Sequence, residues 1–114
     1  MKDCLFCKII AGEVPSEKVF ENEYVLAFKD INPAAPVHVL LIPKIHIKDT
    51  NDINEENVSY ITEIYKVVRE VANICGVEEE GYRLVCNCGK NGGQVVPHIH
   101  FHLLGGKELG DKVV

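Results

Sequence analysis

Gly92-Gly93-Gln94-Val95-Val96-Pro97-His98-Ile99-His100-Phe101-His102-Leu103-Leu104-Gly105-Gly106 is the stretch from which the rest of the chain can be read. Three of the five histidines fall in it, at every second position, with Pro97, Ile99, Phe101 and Leu103 interleaved. A strand sends alternate side chains to opposite faces, so the pattern predicts a strand with one apolar face and one row of imidazoles. At about 3.3 Å per residue, His98 and His102 would stand roughly 13 Å apart. A zinc ion needs each nitrogen at about 2.0 to 2.1 Å, which neighbouring i and i+2 histidines can supply but the full row cannot. The row suits an extended anionic ligand, such as a phosphate and its leaving group, with a separate task for each ring.

Working back toward the N-terminus, Tyr82-Arg83-Leu84-Val85-Cys86-Asn87 reads as a fourth strand, and Gly89-Lys90-Asn91-Gly92-Gly93 as the turn into the histidine strand. Asn87, beside that turn, could bond a ligand or simply form the turn. Residues 54–75 carry the main helix, with Val58, Ile61, Ile64, Val67, Val68, Val71 and Ile74 recurring on one face. Asn54 is placed to cap it and Gly76 to end it, while Glu63, Lys66, Arg69 and Glu70 form a solvated face without chemistry. Val37-His38-Val39-Leu40-Leu41-Ile42-Pro43 is a third strand stopped by its proline, and His38 at its start has a structural or a catalytic role. Before it, Asp30-Ile31-Asn32-Pro33-Ala34-Ala35-Pro36 is a loop. Val19-Phe20 and Tyr24-Val25-Leu26-Ala27-Phe28-Lys29-Asp30 make a hairpin around Glu21-Asn22-Glu23. A short helix, Cys4-Leu5-Phe6-Cys7-Lys8-Ile9-Ile10-Ala11, ends at Gly12 with Phe6, Ile9 and Ile10 inward. The expected fold is therefore α+β: a mostly antiparallel sheet of five strands with one long and one short helix against it.

The length of 114 residues fits one domain spanning 1–114. A 46% hydrophobic and 25% charged composition is that of a globular protein, and no apolar run reaches bilayer length, so no membrane partner is expected. Met1-Lys2-Asp3-Cys4 has no apolar signal core, which points to a cytoplasmic location. The net charge of -5, with no basic stripe, argues against nucleic acid as a partner. A local cluster of N–H groups and imidazoles can still hold a small anion.

Cys4, Cys7, Cys75, Cys86 and Cys88 are odd in number, so a disulfide framework is not expected. Cys86 and Cys88 are placed on one face of the fourth strand, and Cys75 is read as buried at the helix end. Cys4 and Cys7 form a C-x2-C, half of a zinc site or a redox pair, and His46 with the histidine strand could complete a ligand set.

His98-Ile99-His100-Phe101-His102-Leu103-Leu104 resembles the histidine-triad signature of the HIT superfamily. The likeness runs through nearly the whole chain. Leu5-Phe6-Cys7-Lys8-Ile9-Ile10 with Glu13-Val14-Pro15, Ala27-Phe28-Lys29-Asp30-Ile31, His38-Val39-Leu40-Leu41-Ile42-Pro43-Lys44-Ile45-His46 and the Gly-Gly-Gln before the triad are similar to the Hint branch. The resemblance implies a homodimer whose two sheets continue into one of ten strands. It also implies purine nucleotide binding and hydrolysis of nucleoside phosphoramidates or related nucleotidyl compounds through a covalent nucleotidyl-histidine.

By position, the resemblance makes His100 the nucleophile and gives His102 a hydrogen bond to the phosphate, with His38 and His98 completing the catalytic set. Asp30 would bind the ribose hydroxyls, with Leu5, Phe6, Ile9, Val14, Phe28, Lys29 and Ile31 around base and sugar. Asn87 and Gly93 would lie near the phosphate. A neutral imidazole, with a reference pKa of about 6.5, is a competent nucleophile when its second nitrogen donates to a carbonyl or similar acceptor. No metal is required for that step. A structural zinc held by Cys4, Cys7, His46 and His98 is implied by similarity to many bacterial members.

Two positions depart from the pattern. Val95 stands where a serine usually follows Gly-Gly-Gln, which removes a hydroxyl from the phosphate and leaving-group region, and residues 107–114 lack the aromatic that often closes the leaving-group side. The alternatives are a zinc-stabilised nucleotide-binding module with little catalysis and a dinucleoside polyphosphate hydrolase.

Overall fold

Five strands, β1 (Lys18–Glu21), β2 (Val25–Lys29), β3 (Val37–Pro43), β4 (Tyr82–Val85) and β5 (Phe101–Gly105), form one sheet in the order β1-β2-β3-β5-β4. Every neighbouring pair is antiparallel. Two helices, α1 (Leu5–Ile10) and α2 (Val58–Ile74), and a 3₁₀ turn, Thr50–Asp52, complete the α+β fold in this computed structural model, which describes residues 3–113. Met1 and Lys2, read above for a leader, and Val114, last residue of the tail, lie outside the described residues.

Antiparallel register divides the sheet's side chains cleanly between two covers. On one face Val25, Ala27, Val39, Leu41, Phe101 and Leu103 pack under α2, whose Ile64, Val67, Val68, Val71 and Ala72 are buried against them. On the other face Leu26, Phe28, Leu40 and Ile42 pack under the shorter α1 through Phe6 and Ile9. With only 6 residues α1 covers just part of this second face, and the histidines lie beside it, His98 and His100 buried against its Phe6. Both helices stop on a glycine in the left-handed region. Gly12 (φ 79) and Gly76 (φ 76) follow the last turns, and the next residues, Glu13 and Val77, bond back to Lys8 and Ala72 carbonyls.

Several boundaries differ from those read in the sequence. The histidine strand begins at Phe101, not at the first histidine. Continuing the β3–β5 register would set Ile99 against Pro43, which has no N–H, and Ile99 instead donates to the Ile47 carbonyl at 2.7 Å. The alternation survives the break, with Ile99 buried on the α2 side and His98 and His100 edge-on to Phe6 of α1. β4 ends at Val85, so Cys86 and Cys88 lie half-buried in the loop beyond it rather than on a strand. Asn54 caps the turn ahead of α2, its Oδ1 accepting from the N–H groups of Glu56 and Asn57, and the helix itself begins at Val58. Val58 and Ile74, at the two ends of the predicted apolar stripe, are exposed, and Cys75 at the helix end is half-buried.

Candidate active site and metal corner

A cavity of about 450 Å³ opens beside α1, on the sheet face that carries the histidines. Leu5, Phe6 and Ile9 of α1 and Val14 after it form one wall, and Phe28, Lys29, Asp30 and Ile31 at the end of β2 form another. Asn87, Gly93 and Val95 come from the loop between β4 and β5, and His100 and His102 form the floor. Every residue that the resemblance placed around the base, sugar and phosphate thus lines this one cavity, whereas His38 and His98, expected to complete the catalytic set, do not. Pro15, Ser16, Asn32, Leu40 and Val96 line it as well and were not anticipated. Leu40 alone carried a readable signal, since it lies opposite His102 in register and on the same face.

The loop is held close by two devices. Gln94 accepts from the Gly89 N–H at 2.9 Å and donates to the carbonyls of Lys48 and Val96 at 2.7 and 3.0 Å. Gly92 passes so near Cys88 that an added Cβ would lie 2.4 Å from its carbonyl oxygen. Only glycine can sit there, which explains half of the Gly-Gly pair. Gly93 (φ 82) explains the other half.

Hydrogen bonding fixes the tautomers of His38, His100 and His102. His100 Nδ1 is 2.8 Å from the His98 carbonyl oxygen, so Nδ1 carries the proton and donates it, leaving Nε2 with its lone pair. Burial lowers the pKa of His100 below its ordinary value, which keeps the ring neutral at pH 7. His38 and His102 work as a pair. The Ala34 N–H donates to His38 Nδ1 at 2.9 Å, which forces the His38 proton onto Nε2. That Nε2–H donates to His102 Nδ1 at 2.9 Å, so His102 in turn carries its own proton on Nε2. Burial, with His100 and His38 adding to it, takes the His102 pKa down to about 4. The cavity floor therefore presents one neutral acceptor, on His100, beside one neutral donor, on His102. Asp30 stands behind them, its Oδ2 3.4 Å from His38 Nε2 and its Oδ1 accepting from the Asn32 N–H at 2.8 Å.

His98 takes no part in the cavity lining. Its ring is fully buried, with Nε2–H donating to the Pro43 carbonyl at 3.1 Å and Nδ1 turned to Cys4 Sγ at 3.2 Å and Cys7 Sγ at 3.5 Å. Cys7 Sγ is also 3.4 Å from His46 Nδ1, and the four ligand atoms lie within 4.8 Å of one another. A tetrahedral zinc with bonds of about 2.3 Å to sulfur and 2.0 Å to nitrogen has a sulfur–nitrogen edge of roughly 3.5 Å, so the four side chains fit such an ion with little movement. The His98 Nε2–H bond to Pro43 supplies the outer contact that orients a ligating imidazole. Burial, followed by the Cys4 thiol, raises the Cys7 pKa to about 11, and a cation would have to displace the thiol protons to turn the pair into ligands.

A second group, Asp30, His38 and His102, is equally close but fits a metal poorly. A ligating Nε2 on neutral His38 would require a proton on Nδ1, where the Ala34 N–H already points. The row of histidines is thus divided, His98 to the thiol corner and His100 and His102 to the cavity.

The model of the HIT domain matches residues 11–109. The chain belongs to the HIT family. Among HIT relatives, a protein of Escherichia coli strain K12 named purine nucleoside phosphoramidase is 44% identical over 109 residues, covering 96% of this chain and 92% of that one. A HIT-like protein of Helicobacter pylori strain 26695 is 50% identical over 103 residues, covering 90% and 95%. A solved HIT family hydrolase from Clostridium thermocellum superposes with a TM-score of 0.97 at 52% identity, covering 100% of this chain and 99% of the other. A histidine triad protein from Clostridium difficile gives a TM-score of 0.94 at 44% identity, covering 98% and 97%.

Proposed function

We propose that this chain hydrolyses nucleoside phosphoramidates, or closely related nucleotidyl compounds, and releases a purine nucleoside monophosphate. The observation that carries the reading is the neutral His100 ring, its Nδ1–H bound at 2.8 Å to the His98 carbonyl and its Nε2 lone pair left for attack. The phosphoramidase name of the 44% identical relative supports the same substrate class. A flat purine suits the apolar walls of Leu5, Phe6, Ile9, Val14, Phe28 and Ile31, and Asp30 offers acceptors to the ribose hydroxyls.

The chemistry follows from the tautomers. His100 Nε2 forms a bond to phosphorus as the phosphorus–nitrogen bond to the leaving amine breaks, the amine departing with a proton taken from solvent. His102 Nε2–H and the N–H groups of the glycine loop hold the phosphate oxygens. Water then attacks phosphorus, the bond to Nε2 breaks, and the proton of that water returns to solvent. Throughout, the His98 carbonyl accepts the Nδ1–H bond and its dipole stabilises the positive charge that the ring acquires.

We further propose that Cys4, Cys7, His46 and His98 hold a structural zinc that fastens α1 to the sheet, and that two copies join through the outer edge of β4, which ends the strand order. Among the described residues no helix is long and apolar enough to cross a membrane. Incubation with adenosine phosphoramidate tests the enzymatic reading. Release of AMP that disappears in His100→Ala supports it, whereas AMP binding without release at high protein concentration makes the chain a binding module.

A further inference from the structure

The thiol corner and the nucleophile share one residue. The His98 side chain enters the corner, while the His98 carbonyl accepts the proton that fixes His100. Residue 98 also lies outside the sheet ladder, since β5 begins at Phe101. Its backbone is therefore not positioned by β5–β3 pairing. What positions it is its own ring, fixed by Pro43 on one nitrogen and the thiols on the other, its N–H bond to the Val96 carbonyl at 2.8 Å, and the 2.7 Å bond from the Ile99 N–H of the same peptide unit to the carbonyl of Ile47, the residue after His46. Two of these anchors run to the corner, one through the His98 ring and one through Ile47 beside His46, so a shift of the corner would carry the acceptor for His100 with it.

The corner also controls the wall over the nucleotide cavity. Cys4 and Cys7 bracket Leu5 and Phe6, both cavity residues, and the Cys4 thiol caps α1 by accepting from the Cys7 N–H at 3.2 Å. A helix of 6 residues has no stability of its own and depends on what fastens it. Phe6 is edge-on to Phe28, His98 and His100 at ring separations of 5.5, 5.9 and 5.1 Å, so the same ring touches the base wall, the corner and the nucleophile.

We infer that His98 is a positioning residue through which occupancy of the Cys4–Cys7–His46–His98 corner by a divalent metal sets both the tautomer of His100 and the affinity for the nucleotide. This inference rests on the phosphoramidate reading for its kinetic consequence only, because the His100 tautomer and AMP binding report the coupling without turnover. Metal-free protein is expected to lose the single Nδ1–H tautomer of His100 and to bind AMP about tenfold more weakly if α1 is docked one-tenth of the time. Its kcat on adenosine phosphoramidate should fall by about 10 to 100-fold, the scale of a small misplacement of the attacking atom.

The experiment compares zinc-loaded wild type, chelator-stripped wild type and the reloaded protein, all kept reduced. Metal content, long-range proton–nitrogen NMR spectra of the His100 ring, AMP dissociation constants and kcat with KM are read on each. Cys7→Ser keeps three ligands and should bind zinc more weakly, so zinc titration reaches both forms even if the stripped wild type unfolds. Lys66→Ala, an exposed side chain on α2 paired with Glu63, is the control and should match wild type. Loss of the fixed tautomer with weaker AMP binding, both restored by zinc, supports the coupling. An unchanged His100 spectrum and AMP affinity in folded, metal-free protein overturns it, as does a wild type that takes up no metal. If the tautomer and AMP binding follow the metal yet no form hydrolyses the amidate, the coupling stands and the hydrolase reading fails.

Discussion

His38 Nε2 lies 2.9 Å from His102 Nδ1, and the order of donors runs one way only, from the Ala34 N–H through His38 to His102. The two rings are on the same sheet face because His38 is opposite Leu104 and His102 opposite Leu40, a diagonal cross-strand pair. A backbone amide in the loop before β3 thereby decides which nitrogen of His102 faces the phosphate.

Replacing His38 should scramble that choice. In His38→Ala the His102 Nδ1 loses its donor, its proton divides between two nitrogens, and kcat is expected to fall by about 100-fold. Glutamine at position 38 can offer an N–H near the place of Nε2, so His38→Gln should recover part of the loss. Steady-state kinetics of the two variants, with AMP affinity as a reference, checks this. Equal activity in both would mean that His38 acts by some route other than its Nε2–H.

Val95 is 88% exposed at the cavity rim, so its replacement costs little stability. Val95→Ser should leave the unfolding free energy within about 0.5 kcal/mol of wild type. By offering a hydroxyl to the phosphate and leaving group it should raise kcat by about tenfold, a fraction of what a full oxyanion donor supplies. Rates on a series of adenosine phosphoramidates with different amines, together with thermal melts, decide it. A change confined to KM would place residue 95 outside the transition-state contacts.

Acid should destabilise the fold through His102. Burial takes its pKa from 6.5 down to about 4, so between these values the unfolded chain binds more protons than the folded one. The stability owed to its neutral form is complete above about pH 6.5 and is lost as the pH falls through 4, on the order of 3 kcal/mol in all. Urea unfolding at a series of pH values measures the slope, which His102→Gln should flatten. An identical slope in the variant would assign the acid sensitivity to other groups.

The sequence carried the fold unevenly, for reasons that individual residues make plain. Alternation in residues 98–104 assigned the faces correctly because burial is two-sided and a slip of one residue would expose Ile99 and Leu103, both fully buried. β3 was bounded correctly by Pro43, a residue whose chemistry is local. The same proline leaves the strand pairing to end at Phe101, three residues short of His98, an effect visible only once the partner register is known. Periodicity in α2 could not show that Val58 and Ile74 are left exposed, because a stripe on a helix does not record the extent of what it packs against. The cavity's nucleotide-side residues came from family likeness rather than spacing. The Ala34 to His102 order of donors was not legible at all, since it depends on a loop amide meeting a ring four residues on.

The central claim is a covalent bond between phosphorus and His100, and rapid quenching in mild base followed by peptide mass mapping tests it most directly. Adenosine phosphoramidate mixed with the wild type should leave one adenylyl group on the peptide containing His100, localised to that ring by fragmentation and absent in His100→Ala. An adduct on another residue, or undiminished AMP release by His100→Ala, would contradict the account.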